Sequence, residues 1–189
     1  IKAMERATKL QQPFFLYLSH YAVHAPFERD EKYYQYYIEK GLTPAEATYA
    51  SMVEGMDKSL GHILEKVTAL GIEQNTVVVF ISDNGSSIHC PQNLPLRGFK
   101  INPYEGGIRV PMLVKWPGNI PPGSTSSTPL IIEDLFPTLL QFGGFSAAEA
   151  AQLSKDGQSI FPLLAKRKAG KRKSPLIWHF PHYYQDEPY

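Results

Sequence analysis

The chain lacks a second cysteine, so no disulfide bond can form within it. Cys90 is its only cysteine in 189 residues, and this count leaves the redox compartment open. No apolar run approaches the roughly 20 residues that cross a membrane. The formal net charge is only +1, which gives no support for nucleic-acid binding or for a membrane-surface protein. The sequence is long enough for one domain with a substantial core.

The chain also lacks a starting methionine and any visible targeting segment. It begins at Ile1 within a pattern typical of a helix. We therefore expect a piece of a longer protein, with the true N-terminus and any signal peptide outside it.

The most informative feature is Ser82-Asp83-Asn84-Gly85, which follows the apolar run TVVVFI (76–81). A short, β-branched, uninterrupted run predicts a strand buried on both faces of a parallel sheet. Ligands of open α/β sheets bind beyond the carboxyl ends of such strands, and oxygen-bearing side chains there suit Ca²⁺ or Mg²⁺. Asp-Asn-Gly is also a common turn sequence, and the tetrapeptide alone favours a simple turn, whereas the rest of the chain favours the cation site.

Three other apolar runs predict strands: PFFLYL (13–18), VPMLVKW (110–116) and LIWHF (176–180). The basic run KRKAGKRK (166–173) before the last of them is interpreted as a solvated connecting loop.

A long helix is predicted to begin at Thr43, where Glu46 completes a capping box, and to end at Gly71. A shorter helix is predicted over 134–142, and the tyrosine-rich stretch 31–40 is interpreted as a helix or an ordered surface insertion. The resulting β-loop-α-β order is typical of a parallel sheet with helices on its faces.

Four polar residues follow or connect the predicted strands: His24, Asp83, Asn84 and Lys100. Such loops cluster at one edge of a parallel sheet. A divalent cation, a lysine and a histidine that converge there form a pocket for a tetrahedral oxyanion, and the histidine can protonate a leaving oxygen. Taken singly, His24 is better interpreted as an ordinary loop histidine and Lys100 as a surface lysine.

The sequence resembles the sulfatase family, within the alkaline-phosphatase-like superfamily. The resemblance covers nearly the whole chain. The order and spacing of the matching stretches are similar to those in the second half of a sulfatase catalytic domain. Its matching stretches are PFFLYLS (13–19), VHAP (23–26), VVFISDNG (78–85), LRGFK (96–100), YEGGIRVP (104–111), WPG (116–118) and DLFPTLL (134–140).

The resemblance implies an α/β fold, namely an alkaline-phosphatase-like α/β/α sandwich with a mixed, mostly parallel sheet. Residues 1–165 would belong to the second half of the catalytic domain. Residues 166–189 would form a basic linker and the first strand of a smaller C-terminal subdomain. The N-terminal half of the same domain would be the missing partner of this piece.

The resemblance also implies roles for single residues. Asp83 and Asn84 would be two ligands of a Ca²⁺ ion, with Mg²⁺ as the lesser alternative, and this ion would also hold the sulfate group. His24 would contact the sulfate ester as a candidate general acid, and Lys100 would pair with a sulfate oxygen. Phosphatase and phosphodiesterase relatives tend to carry histidine at the position of Asn84, which suits zinc, whereas an amide oxygen favours calcium.

The Glu-Gly-Gly-x-Arg signature is interpreted as structural. Gly106 and Gly107 would allow close approach of the backbone in a tight turn, and the charged groups of Glu105 and Arg109 would fix that turn. We assign no chemistry to these four residues.

Two departures from the family pattern are present. Phe99 and the segment 101–103 replace the small, glycine-rich residues usual around the family's lysine, which makes the role of Lys100 less secure than that of Asp83. Sulfatases also carry a formylglycine nucleophile made within a Cys/Ser-x-Pro-x-Arg motif, and neither Cys90 nor any serine here stands in that motif. We expect the formylglycine upstream and predict that the isolated 189 residues are inactive.

Three functions remain open at this point: a sulfuric ester hydrolase, a phosphoester or phosphonate hydrolase of the same superfamily, and a non-catalytic relative. The substrate expected is a small-molecule or oligosaccharide sulfate ester, with sulfated carbohydrates favoured. Trp178 and Phe180 are interpreted as core residues of a strand or as sugar contacts, and His182 as a pocket residue. Resemblance to the family implies a periplasmic, secreted or lysosomal location.

Overall fold

The computed structural model describes residues 1–87, 93–166, 172 and 174–180. The chain divides into two compact units, Ile1–Thr76 and Val77–Tyr189. The predicted domain boundary after residue 165 stays a prediction. Cys90, His182 and most of the basic run lie outside the described residues.

The first unit contains three α-helices, α1 (Lys2–Lys9), α2 (Glu31–Glu39) and α3 (Pro44–Ala69), and a 3-10 helix (Glu73–Asn75). The capping box predicted at the start of α3 is confirmed. The backbone N–H of Thr43 donates to Glu46 Oε2 over 2.9 Å, and the backbone N–H of Glu46 donates back to Thr43 Oγ1. The side-chain and backbone hydrogen bonds from Thr43 lower the pKa of Glu46 below its usual value. Gly71 follows the helix at φ +68°, as a C-terminal stop requires.

Polar contacts join α1 and α2 to α3. Lys66 Nζ lies 2.9 Å from Glu5 Oε1, and the Tyr37 hydroxyl donates to Glu54 Oε2 over 2.8 Å. Met4 and Met52 are buried, so α1 and α3 both contribute to the core of this unit.

The predicted strand over 13–18 is absent from the structure. The segment has no hydrogen-bonded strand partner among the described residues, and its large side chains are exposed, with Phe15 at 71% and Tyr17 at 80%. A strand needs a neighbour that pairs with its backbone groups. The prediction was therefore wrong for this chain as it stands.

The second unit contains a two-stranded sheet of β1 (Val78–Ile81) and β2 (Met112–Lys115). Val78 pairs with Lys115 and Ile81 with Met112, so the strands are antiparallel. The residues of β1 are half-buried. The prediction of a parallel strand buried on both faces is wrong for the described sheet, since neither a parallel neighbour nor full burial is present.

Among the described residues, this unit also has a 3-10 helix (Ile132–Asp134) and four α-helices: α4 (Glu105–Ile108), α5 (Leu135–Phe142), α6 (Ala147–Leu153) and α7 (Phe161–Lys166). The rings of Trp116, Phe142 and Phe161 pack together, with centroids 5.0 to 5.7 Å apart. Each such aromatic pair contributes about 0.5–1.5 kcal/mol beyond the area it buries. This cluster joins the end of β2 to α5 and α7.

Asp134 is the buried polar centre of this part of the unit, at 1% exposure. Its carboxylate accepts hydrogen bonds from the backbone N–H groups of Ile131 and Gln158, at 3.0 and 2.7 Å. Arg172 forms an ion pair with the same carboxylate. The only described arginine of the basic run is thus partly buried and paired, which corrects the prediction of a solvated loop for this residue.

The strand predicted over 176–180 is also absent. Residues 175–180 have no regular secondary structure. Trp178 and Phe180 are 43% and 47% exposed. The interpretation of these two aromatic residues as the core of a strand was therefore wrong.

Candidate active site

The loop after β1 presents two oxygen-bearing side chains, Asp83 and Asn84. The Ser82 hydroxyl donates to the backbone carbonyl of Asn84 over 2.9 Å, which bends the chain directly after the strand. Asp83 is exposed and Asn84 is half-buried. Within the described part of the chain, neither side chain forms a hydrogen bond or an ion pair. A carboxylate and an amide oxygen without partners fit a hard cation that prefers oxygen ligands.

The segment that carries Lys100 is fastened to this loop. The backbone N–H of Lys100 donates to the carbonyl of Ser86 over 2.8 Å, and the backbone N–H of Gly85 donates to the carbonyl of Gly107 at the same distance. A Cβ atom on Gly85 would lie 1.9 Å from the Gly106 carbonyl oxygen. The two backbones approach so closely that only glycine fits, and this approach fixes Lys100 beside the loop of Asp83.

The Glu-Gly-Gly-x-Arg turn supports this arrangement, as predicted. The Glu105 and Arg109 side chains pair at 3.0 Å across α4. Gly106 is buried, and its backbone N–H donates to the carbonyl of Arg97 over 2.7 Å. A Cβ on Gly106 would lie 1.9 Å from the Gly98 carbonyl oxygen. The signature therefore has a structural role that depends on close backbone packing.

Sequence analysis missed Asn93, which binds the same turn from the other side. Its Nδ2 donates to the carbonyls of Gly98 and Gly106, at 2.5 and 3.2 Å. One amide group thus satisfies two carbonyls of two approaching segments. A lone asparagine in a proline-rich loop gives no sequence signal for this role.

Ile101, directly after Lys100, has φ +78°. The left-handed region is unfavourable for a β-branched residue because its Cβ lies too close to the following carbonyl oxygen. The departure from the glycine-rich family pattern noted around Lys100 therefore coincides with backbone strain. Such strain persists where surrounding contacts hold the chain, here including the hydrogen bond from the Lys100 N–H.

His24 belongs to the other unit, in the loop between residue 19 and α2. Its Nδ1 lies 2.8 Å from the carbonyl oxygen of Ala25. The Tyr21 hydroxyl donates to the same oxygen over 2.7 Å. His24 is exposed, so its ring is open to a ligand.

The four predicted site residues are thus distributed over both units. Asp83, Asn84 and Lys100 lie on loops that are hydrogen-bonded to each other in the unit Val77–Tyr189. The convergence of His24 with them stays a prediction. In residues 1–87, 93–166, 172 and 174–180 no group of three or more His, Cys, Asp or Glu side chains could hold a metal ion. Ca²⁺ takes 6–8 oxygen ligands, of which Asp83 and Asn84 would supply a minority.

No helix among the described residues is both long and apolar enough to cross a membrane.

Comparisons with known proteins agree on one family. The family model described as Sulfatase matches residues 2–145. The chain is 36% identical to a sulfatase of Formosa agariphila over 93% of this chain and 34% of that protein. It is also 36% identical to the steryl-sulfatase of Rattus norvegicus, over 80% of this chain and 26% of that protein.

Solved structures give the same result. The chain superposes on Ps i-CgsB, solved in complex with k-i-k-neocarrahexaose, with a TM-score of 0.79 and 33% identity. The superposition covers 88% of this chain and 37% of that one. The chain therefore spans about a third of the length of the proteins that it matches.

Proposed function

Because the chain belongs to the sulfatase family, we propose that it forms the part of a sulfuric ester hydrolase that holds Asp83, Asn84, Lys100 and His24. The observation that carries the proposal is the hydrogen bond between Lys100 N–H and the Ser86 carbonyl. This bond holds the backbone of Lys100 against the loop that carries Asp83 and Asn84, whose side-chain oxygens have no partner among the described residues. A sulfate monoester is a tetrahedral anion, and a cation and an ammonium group placed together are suited to bind it.

We propose that the whole protein has an α/β/α sandwich with a mixed, mostly parallel sheet, in which segments outside this sequence pair with the free edge of β1 and cover the exposed run 13–18. Support comes from the exposure of Phe15 and Tyr17 and from the free edge of β1, whose described partner is β2 alone. Apolar extended segments of this kind are stabilised when a neighbour covers them and pairs with their backbone.

Asp83 and Asn84 would supply some of the ligands of a metal ion, which we propose to be calcium. Their carboxylate and amide oxygens match the ligands that Ca²⁺ prefers, whereas zinc prefers nitrogen and sulfur ligands. When bound, such an ion neutralises charge on the oxygens of the ester. Lys100 would pair with another of those oxygens through its ammonium group.

His24 would act on the leaving group. As the S–O bond breaks, the electron pair stays on the leaving oxygen, and the proton on Nε2 of the His24 imidazolium moves to it, which gives the alcohol and a neutral imidazole. The nucleophile that attacks sulfur, a formylglycine by family resemblance, would come from a segment outside this sequence. The same resemblance supports a periplasmic, secreted or lysosomal location.

Sulfated carbohydrates are the proposed substrates. Trp178 and Phe180 are about half exposed on a segment without regular structure, and exposed aromatic faces stack on sugar rings. The match to a protein solved with a neocarrahexaose supports sulfated carbohydrates as substrates. The match to a steryl-sulfatase instead supports the sulfate ester of a flat apolar alcohol as the substrate.

The test uses the whole protein, expressed from its complete coding sequence and assayed for sulfate release. Sulfated galactan oligosaccharides and a steroid sulfate are supplied at equal concentration. The proposal is supported if kcat/KM is higher for the oligosaccharides than for the steroid sulfate. Trp178→Ala should also reduce kcat/KM for the oligosaccharides more than the control Trp116→Phe does. Preferred hydrolysis of the steroid sulfate would contradict the substrate class, and no sulfate release from either would contradict the activity.

A further inference from the structure

The loop that carries His24 is held in one conformation by two of its own side chains. The hydroxyl of Tyr21 and Nδ1 of His24 reach the same acceptor, the carbonyl oxygen of Ala25, at 2.7 and 2.8 Å. The two rings contact each other with centroids 5.7 Å apart and planes at 60°. The backbone N–H of His24 also donates to the carbonyl of Tyr21 over 2.9 Å.

This arrangement fixes which nitrogen of His24 carries a proton. A carbonyl oxygen can only accept hydrogen bonds, so Nδ1 must be the protonated nitrogen in the neutral ring. Nε2 is then an acceptor in the neutral ring and a donor in the imidazolium, and the residue itself is exposed. Within the described residues no side chain is hydrogen-bonded to Nε2, so this nitrogen is available to bind a ligand.

The loop is attached to α3 by contacts that do not involve Tyr21. His20 Nε2 is hydrogen-bonded to Ser59 Oγ at 3.0 Å, and the backbone N–H of Asp30 donates to Ser51 Oγ at the same distance. Tyr21 itself is 69% exposed. Removal of its hydroxyl therefore leaves no cavity and no loose loop, and the main change falls on the Ala25 carbonyl and the His24 ring.

We propose that Tyr21 is a positioning residue for His24. The proposal rests on the proposed function, in which Nε2 of His24 protonates the leaving oxygen. By anchoring the Ala25 carbonyl, the Tyr21 hydroxyl keeps that carbonyl aimed at Nδ1, and this keeps Nε2 directed at the ester. Without the Tyr21 hydroxyl, the Ala25 carbonyl rotates and accepts hydrogen bonds from water. The His24 ring then samples other orientations and the other tautomer.

The kinetic test compares esters that differ in their need for a proton. An alkyl or sugar sulfate has a strongly basic leaving oxygen and requires the acid, whereas 4-nitrophenyl sulfate has a weakly basic one and requires it much less. In the whole protein, Tyr21→Phe is expected to lower kcat on the sugar sulfate about tenfold, with KM within about twofold. On 4-nitrophenyl sulfate kcat should change by less than about twofold.

Tyr37→Phe is the matched control, since it removes another hydrogen-bonded phenol of the same unit, the donor to Glu54. It should leave the ratio of the two kcat values at that of the wild type. His24→Ala should lower kcat on the sugar sulfate more than Tyr21→Phe does, again with a smaller loss on 4-nitrophenyl sulfate. Equal loss on both esters, or no loss on either, would overturn the positioning role.

A second readout separates this proposal from the proposed function. In protein labelled with ¹⁵N-histidine, the His24 signals, assigned by their loss in His24→Gln, should report the neutral tautomer with the proton on Nδ1. Tyr21→Phe should give a mixture of tautomers. If the wild type hydrolyses no sulfate ester, the proposed function fails while this measurement still applies. An unchanged tautomer in Tyr21→Phe would overturn the role of Tyr21 whatever the activity.

Discussion

The backbone N–H of Gly85 donates a 2.8 Å hydrogen bond to the carbonyl oxygen of Gly107. This bond joins the loop of Asp83 to the turn that supports Lys100. The loops of Asp83 and Lys100 are therefore held together by backbone packing between glycines, which the side chain of Asn93 supports. Changes to those glycines should disturb the site without any change to the proposed binding groups.

Gly106→Ala tests this packing. The new Cβ would lie 1.9 Å from the Gly98 carbonyl oxygen, so the backbone must move, at a cost of about 3 kcal/mol or more by the behaviour of overpacked sites. We expect a lower unfolding temperature and loss of activity. Gly61→Ala in α3 is the control, because a Cβ there meets no atom within 4 Å. It should raise helix stability by about 0.5–1 kcal/mol. Equal effects of the two substitutions would contradict the account.

Ile101 allows a direct measurement of the strain beside Lys100. Ile101→Ala and Ile101→Gly both remove the side chain beyond Cβ, but only glycine is relaxed at φ +78°. The glycine variant should therefore be the more stable of the two, by about 1 kcal/mol, in denaturant unfolding of the whole protein. A more stable alanine variant would mean that the residue does not adopt this conformation.

Asp83→Asn should weaken calcium binding with little effect on folding. The substitution keeps the shape of the side chain and removes one negative charge from a carboxylate that has no partner among the described residues. Calcium affinity, measured by isothermal titration after chelation, should fall by about tenfold or more. Asp57→Asn, at an exposed position of α3, should leave the affinity unchanged. Equal affinity in wild type and Asp83→Asn would remove Asp83 from the metal site.

The capping box of α3 predicts a pH effect on stability. The hydrogen bonds from Thr43 lower the pKa of Glu46 from 4.5 in the folded state. A lowered folded pKa means that the stabilisation is complete above the unfolded pKa and is lost as the pH falls through the folded pKa. Glu46→Gln should therefore reduce the loss of stability on acidification below about pH 4.5. Glu65→Gln, on the same helix with its side chain exposed, is the control. Parallel pH curves for wild type and Glu46→Gln would contradict this.

Local signals in the sequence predicted local structure well. Thr43 and Glu46 define a helix start by contacts within four residues, and the structure has that start. The glycines of the 104–111 signature likewise indicated close packing, and the structure has it.

Non-local structure could not be predicted in the same way. The run 13–18 has a strand-like composition, yet a strand also needs a partner, and no described residue supplies one. Asn93 acquires part of its role from the carbonyl of Gly106, which is 13 residues away along the chain and is brought near it by folding. No spacing or composition rule identifies such contacts beforehand.

The central proposal is that the whole protein cleaves sulfate esters at a site that includes Asp83 and Lys100. The most direct test compares 4-nitrophenyl sulfate with 4-nitrophenyl phosphate, which share a leaving group, as substrates of the whole protein with calcium present. The account predicts that kcat/KM for the sulfate exceeds that for the phosphate by about a hundredfold or more, and that Asp83→Asn and Lys100→Met both abolish this preference. A preference for the phosphate, or a sulfate activity indifferent to both substitutions, would contradict it.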